Sequence, residues 1–264
     1  MTIGTDTDWD PGAYRRFRGL RLRPALDLLA RVPADLPPGD VVDLGCGSGA
    51  AGGALSVRFA DRIRIGVDAS PAMLAEATAE RHYDHTARSD IAEWYPDRAP
   101  AVIFSNAALN WVPDHPAMLP HLAGLLVPGG VLAVQVPDQQ DAPSHRLIRE
   151  VSAELFPHRF DWRDWAPEVL APGRIMAVLA GLGDLDLWQT TYHQVLPGAG
   201  DAHPVRRFTE STVARPVLAE LDTPERRAFL AAYDAALDAA YPRATDGTVH
   251  FPFTRLFFVL TRRA

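Results

Sequence analysis

Three glycines at alternate positions, Gly45, Gly47 and Gly49, follow a short apolar run that carries one acid, Val41-Val42-Asp43-Leu44. Such a run reads as a buried strand, and glycines just beyond it let the backbone approach a ligand closely. A helix opening there would add unpaired N–H groups at its first turn. Two further acids, Asp68 and Asp90, fall where the next two strands should end. Gly47-x-Gly49-x-x-Gly52, with Asp68 about 20 residues on, also satisfies the dinucleotide fingerprint, so the loop alone allows a nicotinamide or flavin. Asp43 argues against that, because a dinucleotide strand is normally apolar there and a pyrophosphate would be repelled. An acid at that position suits a ligand that is cationic near the loop. Asp43, Asp68 and Asp90 in turn suit an ammonium or a water bound to it, a ribose diol and an adenine amine. Together they describe a nucleoside with a positively charged tail.

The elements that must position these residues alternate in type. Strands are expected at 41–44, 63–67, 101–105 and 131–136, with a weaker one at 86–89. Helices are expected at 14–31, from the glycine loop to about 59, from Ser70-Pro71 to about 81, and at 116–126. Ser70 is a good N-cap and Pro71 suits the first helical position. This alternation means βαβ units and a parallel sheet. The second half reads differently: helices at 144–155, 175–180 and 223–241, an aromatic irregular stretch at 156–165, and strands at 185–196 and 257–260. The roughly 50 residues between those last strands are too many for a turn and should form a helical cap. No repeat or low-complexity segment interrupts the 264 residues.

All 26 cationic side chains are arginine; there is no lysine. Schiff-base chemistry, pyridoxal-phosphate anchoring and the P-loop all need a lysine amine and are excluded. Any anion held by a cation is therefore held by a planar, permanently charged fork. A net charge of −7 argues against nucleic acid as the main partner. One cysteine, Cys46, forbids an internal disulfide and fits a reducing compartment. No apolar run approaches the roughly 20 residues of a membrane span, and the acidic start, Asp6, Asp8 and Asp10, is unlike a signal peptide. No His/Cys/Asp/Glu spacing suggests a metal. The expectation is a cytoplasmic enzyme with no nucleic acid, membrane or metal partner; oligomeric state is not legible.

Val41 to Gly49, followed by Gly66-Val67-Asp68-Ala69-Ser70-Pro71-x-Met73-Leu74, resembles the signature of class I S-adenosylmethionine-dependent methyltransferases. Further segments are similar to the trans-aconitate 2-methyltransferase family over nearly the whole chain. They include Tyr14-x-x-Phe17, Arg21-x-Arg23-Pro24, Asp90-Ile91-x-x-Trp94, Ser105-Asn106-Ala107-Ala108-Leu109-x-Trp111 and Gln135-Val136-Pro137-Asp138. Pro143-Ser144-His145-Arg146, Thr191-Tyr192-His193 and Phe251-Pro252-Phe253-x-Arg255 extend the likeness. The resemblance implies a Rossmann-like α/β fold with a seven-stranded, mostly parallel sheet, an N-terminal lid helix and a helical cap. It implies a lid region at 1–38, a cofactor core at 39–142 and an acceptor-side half at 143–264. In that half the cap would span about 143–184 and 197–248, and the last strands about 185–196 and 254–261.

The resemblance also implies S-adenosylmethionine as cofactor. Tyr14, Phe17, Asp43, Gly45, Cys46, Gly47, Gly49, Asp68, Ala69, Met73, Asp90, Ile91, Asn106, Ala107 and Trp111 would contact it. The family's acceptor is a small tricarboxylate, for which bidentate arginine is the strongest clamp. Arg23, Arg146, Arg215 and Arg255 lie in matching segments. His145, His193 and Tyr192 could orient the acceptor, or a histidine could act as general base toward an alcohol. Trp162 and Trp165 could form a flap or simply pack. The cofactor half matches the family better than the acceptor half: Ala50-Ala51 and Gln139 replace expected polar residues, and 205–212 lacks the family's tryptophan, lysine and glycine. Another natural-product acceptor, or cofactor binding without methyl transfer, are the other readings, and a nicotinamide-dependent oxidoreductase is the remote one.

Overall fold

The computed structural model describes residues 18–163 and 169–263, with side chains from residue 22 onward in the first helix. The first half alternates as its periodicity requires. Helix α1 (Arg18–Arg31) leads to β1 (Val41–Leu44), α2 (Gly52–Arg58), β2 (Arg64–Asp68), α3 (Pro71–Ala79), β3 (His85–Arg88) and β4 (Val102–Asn106). A 3-10 turn at Leu109–Trp111, α4 (His115–Leu125) and β5 (Val131–Pro137) follow. Then come α5 (Pro143–Leu155), α6 (Pro172–Leu179), β6 (Gly183–Leu196), α7 (Pro204–Glu210), α8 (Arg215–Ala219), α9 (Thr223–Ala240) and β7 (Val249–Arg262).

One seven-stranded sheet runs in the order β3-β2-β1-β4-β5-β7-β6. The first five strands are parallel, and β7 pairs antiparallel with β5 from Val131↔Thr261 to Pro137↔Arg255. Strands β1 and β4 are buried throughout except at Asn106, and β5 except at Pro137. Their near-continuous apolar runs are what a strand covered on both faces needs. The edge strand β3 is largely exposed and carries His85, Thr86 and Arg88, side chains that discourage edge-to-edge pairing.

The core below the site joins Val42, Leu44, Ile103, Leu132 and Val134 of the strands to Leu119, Leu122, Leu126 and Ile175 of the helical layers. Helix α1 buries Ala25, Leu28 and Leu29 and lies against β5. Helix α3 starts as expected: Ser70 Oγ accepts the Met73 N–H at 3.2 Å, with Pro71 in the first turn. The long helix α9 opens at Thr223, as its Thr223-Pro224-Glu225 pattern suggests. Asp222 is the N-cap, and Asp222 and Glu225 satisfy each other's backbone N–H in a capping box.

The last strand differs from expectation. It begins at Val249, not at about residue 254, because Pro252 reads as a break in sequence but here occupies a strand position. Burial alternates correctly through it, Val249, Phe251 and Phe253 inward and His250 outward. The expected helical cap between β6 and β7 is present as α7, α8 and α9.

The chain divides into two compact units. One contains 138–163 and 191–254, with α5 packed on α9 and α7. The other contains 18–137, 169–190 and 255–263, and so holds the parallel strands and the glycine loop. No helix among the described residues is long and apolar enough to cross a membrane.

Candidate active site

Strand β1 ends at Leu44 and the chain turns at once. Gly45, Gly47 and Gly49 have φ of +79°, +54° and +82°, a region that favours glycine. At Gly45 space forbids anything larger, since a Cβ would lie 2.2 Å from the Ala108 Cβ. At Gly47 the reverse holds: among the described residues a Cβ would meet nothing within 4 Å. The loop is tied to β2, whose Val67 carbonyl accepts the Gly45 and Cys46 N–H groups at 2.8 and 2.9 Å.

Asp68 sits at the end of β2 and holds two elements together. One carboxylate oxygen accepts the Gly47 N–H at 2.8 Å and the other the Ser70 N–H at 2.9 Å. Both of its oxygens are thus engaged by backbone N–H groups at the mouth of the loop. Asp43 is in a different state. It is 2% exposed, and the Tyr83 hydroxyl, donating at 2.6 Å, is the one hydrogen-bond partner of its carboxylate among the described residues. Burial pushes its pKa up to about 7; the Tyr83 hydrogen bond pulls the other way, and Asp68 adds to the rise. The Cys46 thiol beside it is pushed far up by burial and by both acids, so it stays protonated and unreactive.

The ends of β3 and β4 complete the row. Asp90 is exposed and its Oδ1 accepts the Ala92 N–H at 2.9 Å, while Ile91 lies close over Gly45. The Ala69 carbonyl accepts from Arg88, and the Met73 side chain is buried. Asn106 lies opposite Gln135 in register. Ala107 takes a left-handed φ of +56°, costly for a residue with a Cβ, and its N–H donates to the Gln135 carbonyl at 2.8 Å. Asn106 Oδ1 and Gln135 Nε2 are both buried with no hydrogen-bond partner among the described residues. Trp111 stands 46% exposed on the 3-10 turn just after them.

Arg255 of β7 donates from Nη1 to Gln135 Oε1 at 3.2 Å and is 3% exposed. Phe257 is opposite Gln135 in register, and Arg255, two residues away, shares its face. A guanidinium can only donate, so it fixes which end of the Gln135 amide faces it and turns the NH₂ the other way. Arg255 thus meets a neighbouring side chain through one of its guanidinium nitrogens. Glycine loop, Asp68, Asp90 and Asn106 all fall at the C-terminal ends of parallel strands, around the β1/β4 reversal of strand order. That crevice is where open α/β sheets bind ligands.

The other expected acceptor residues sit in varied local environments. Arg23 is exposed on α1. In the unit formed by 138–163 and 191–254, His145 has Nδ1 3.0 Å from Ser144 Oγ and meets Phe253 edge-on. Burial, aided by the Arg149 charge, pulls its pKa down to about 3. Arg146 is exposed, pairs with Glu150, and lines a cavity of about 620 Å³ together with Arg149, Phe160, Trp162 and Arg163. Tyr192 is buried. His193 is exposed and its ring stacks on His250, with Nδ1 2.9 Å from Nε2. Arg215 begins α8 and is half-buried. Trp162 stacks on Phe160 and donates to Ser152 Oγ at 3.0 Å, which favours packing over a flap. Tyr14, Phe17 and Trp165 lie outside the described residues. Among the described residues no group of three potential ligands could hold a metal ion.

Two residues of this site were not singled out from sequence. Tyr83 lies 40 positions from the acid it holds and belongs to no motif. Gln135 carries a signal, an amide inside the apolar run Val131-Leu132-Ala133-Val134-Gln135-Val136, that only its buried partner makes meaningful.

Over residues 14–170 the chain matches the family model of a methyltransferase domain. Fold and site together define a class I, S-adenosylmethionine-dependent methyltransferase, and the nicotinamide reading of the glycine spacing gives way. Solved structures share the fold at low identity. A putative sarcosine dimethylglycine methyltransferase from Galdieria sulphuraria has a TM-score of 0.53 at 13% identity, covering 96% of this chain and 91% of that one. Haemonchus contortus phosphoethanolamine N-methyltransferase 2, solved with S-adenosyl-L-methionine, has a TM-score of 0.53 at 15% identity over 91% of this chain. This chain spans 53% of that longer protein. Much nearer is the trans-aconitate 2-methyltransferase of Methylobacterium radiotolerans, 42% identical over 97% of this chain and 99% of its own length. That of Yersinia pseudotuberculosis is 40% identical over 96% and 97%. The chain belongs to the trans-aconitate 2-methyltransferase family.

Proposed function

We propose that the chain O-methylates a carboxylate of a small polycarboxylic acid, with trans-aconitate as the first compound to test. The observation that carries the cofactor half is the row of groups at the strand ends around the β1/β4 reversal. There, a glycine loop whose Gly47 side is open among the described residues stands between a buried acid with one hydroxyl partner and an acid that holds two backbone N–H groups. S-adenosylmethionine fits that set. Gly45–Gly49 with Cys46 would border its methionine portion, Asp43 its ammonium and Asp68 its ribose. Ala69, Met73, Asp90 and Ile91 would border its adenine, and Asn106, Ala107 and Trp111 its sulfur end. When bound, it supplies an electrophilic methyl group on a positively charged sulfur.

The protein's own part is positioning and exclusion of water. An acceptor carboxylate is ionised at neutral pH, so no side chain has to remove a proton from it, and effective concentration can supply most of the acceleration. Anion and cation neutralise each other as the methyl moves, so a site that removes water from both favours the reaction. The Gln135 NH₂, turned away from Arg255, is the donor we assign to the acceptor's anionic end, with Arg255 as its support. Arg23, Arg146, Arg215, His145, Tyr192 and His193 are further assignments on the acceptor side. The acidic balance and single cysteine support a cytoplasmic enzyme without nucleic-acid or membrane partners.

The test incubates the protein with isotopically labelled S-adenosylmethionine and a panel of trans-aconitate, other di- and tricarboxylates, alcohols and amines. A labelled monomethyl ester of trans-aconitate is expected. Transfer to an alcohol or amine alone, or S-adenosylhomocysteine binding without transfer to any acid, would overturn the acceptor assignment.

A further inference from the structure

The residue that ties the cofactor loop together is Tyr83, in the connection between α3 and β3. Its ring occupies the space that three glycines leave open. A Cβ on Gly52 would come within 3.0 Å of its Cζ, one on Gly66 within 3.1 Å of its Cδ2, and one on Gly49 within 3.5 Å of its Cε2. Gly52 and Gly66 are not at positive φ, so close neighbours are what demand glycine there: this ring at both, with His82 at Gly52 and Cys46 at Gly66. At the end of the ring the hydroxyl donates to Asp43 Oδ2 at 2.6 Å. A buried carboxylate with one hydroxyl donor is poorly compensated, because burying a charge is costly unless it is paired and fully hydrogen-bonded. We propose that Tyr83 is the positioning residue that sets the ionisation of Asp43, so that the cationic methyl donor binds with release of a proton from that carboxyl.

The proposal rests on the placement of Asp43 against the cofactor's ammonium. The titratable groups that bear on Asp43 are Tyr83, Asp68 and Cys46. The Tyr83 hydroxyl and the Cys46 thiol are both pushed upward, chiefly by burial, and stay neutral near pH 7. That leaves Asp43 to gain or lose the proton, with Asp68 as the neighbouring acid. An arriving ammonium favours the ionised form. Affinity therefore falls with pH below the ligand-free pKa of Asp43 and levels above it. Removing the hydroxyl removes the hydrogen bond that lowers that pKa, so the levelling point moves up. Each unit of that movement is a tenfold loss of affinity at a fixed lower pH.

The test titrates S-adenosylhomocysteine by calorimetry between pH 5.5 and 7.5, in two buffers of different ionisation enthalpy. This range lies below the ligand's own amino group, because even a peptide α-amine titrates at roughly 7.7–8.0 and a free amino acid's, beside its carboxylate, titrates higher. The wild-type protein should lose affinity about tenfold per unit as pH falls below about 7 and release close to one proton on binding there. Tyr83→Phe keeps the packed ring; it should bind roughly tenfold or more weakly at pH 7 and keep its full pH slope to the top of the range. Asp43→Asn still accepts the Tyr83 hydrogen bond and should show no slope. Wild-type affinity that is flat with pH overturns the proposal without needing either variant to fold. If Asp43→Asn matches wild type at every pH, the placement of Asp43 itself fails. If that variant loses the slope but Tyr83→Phe tracks wild type, Asp43 stands and the role of Tyr83 falls.

Discussion

The two compact units use charge in opposite ways. In the unit of 138–163 and 191–254, arginines are largely paired with nearby acids: Arg146 with Glu150, Arg159 with Glu225, Arg206 with Glu210 and Asp234, and Arg243 with Asp238. Most of these partners are exposed or half-exposed and hold helices in place. In the sheet unit, three polar side chains at the strand ends have buried atoms with few or no partners among the described residues. Asp43 has one hydroxyl, Gln135 has one filled and one empty side, and the Asn106 carbonyl is empty. A protein keeps such groups where a ligand completes them, since each buried unmet polar group costs about 1–3 kcal/mol. The contrast separates charge used for structure from polarity kept for binding.

The contrast can be broken most severely at Arg255. Arg255→Ala leaves a cavity and strips Gln135 of its partner, and should cost about 2–5 kcal/mol of stability in urea denaturation. Arg255→Met, which refills the volume, should recover part of that stability and still raise the acceptor's KM. Retained stability in Arg255→Ala would mean the pair is not buried as described.

Next in size is Asp43. Its folded pKa, about 7, lies above the ordinary carboxylate value, so its contribution is complete below pH 3.8 and is lost as pH rises through about 7. The ligand-free protein should therefore weaken between pH 4 and 8. Asp43→Asn should be more stable than wild type at pH 8 by about 2–4 kcal/mol while binding cofactor less well. Equal stability at pH 8 would show that the buried carboxylate is better compensated than its single bond implies.

Asp68→Ala should weaken S-adenosylhomocysteine by about 1–3 kcal/mol, from the lost ligand contact and the released Gly47 N–H. Unchanged affinity sinks its assignment to the ribose. Smallest of all, Glu150→Gln breaks an exposed i,i+4 pair and should cost about 0.3–0.5 kcal/mol at low salt, less at high salt. A loss several times larger would mean the helical unit's surface charges do more than hold helices.

Much of the sheet unit was legible because its signals are local. The run Val41–Leu44 is apolar, Ser70-Pro71 is a helix start, and the alternate glycines mark a backbone that needs left-handed turns. Strand β7 was half legible: Pro252 hides its first turn of alternation because a missing N–H matters only where a neighbour would accept it. The capping box of α9 shows the same limit on a smaller scale, since Asp222 is recognised as the cap only once its side chain faces the Glu225 N–H. At the site, the acids Asp43, Asp68 and Asp90 could be read at their strand ends. Their differing environments could not, because burial and hydrogen bonding depend on residues far along the chain. Arg255 shows this most clearly. A matching segment suggests an acceptor clamp, and the register of β7 on β5 adds a contact with Gln135 that no local signal announces.

By itself the sequence determined the alternation of strands and helices, the glycine loop and the helix start at Ser70-Pro71. Each of these depends on residue types at short spacings, where backbone freedom, periodicity and capping act within a few positions. Only the tertiary structure decided that Asp43 is buried beneath a tyrosine, that Gln135 turns its NH₂ away from Arg255, and that Ala108 closes over Gly45. Those facts arise from contacts between segments tens of residues apart, where packing and desolvation, not local propensity, set what each group is able to do.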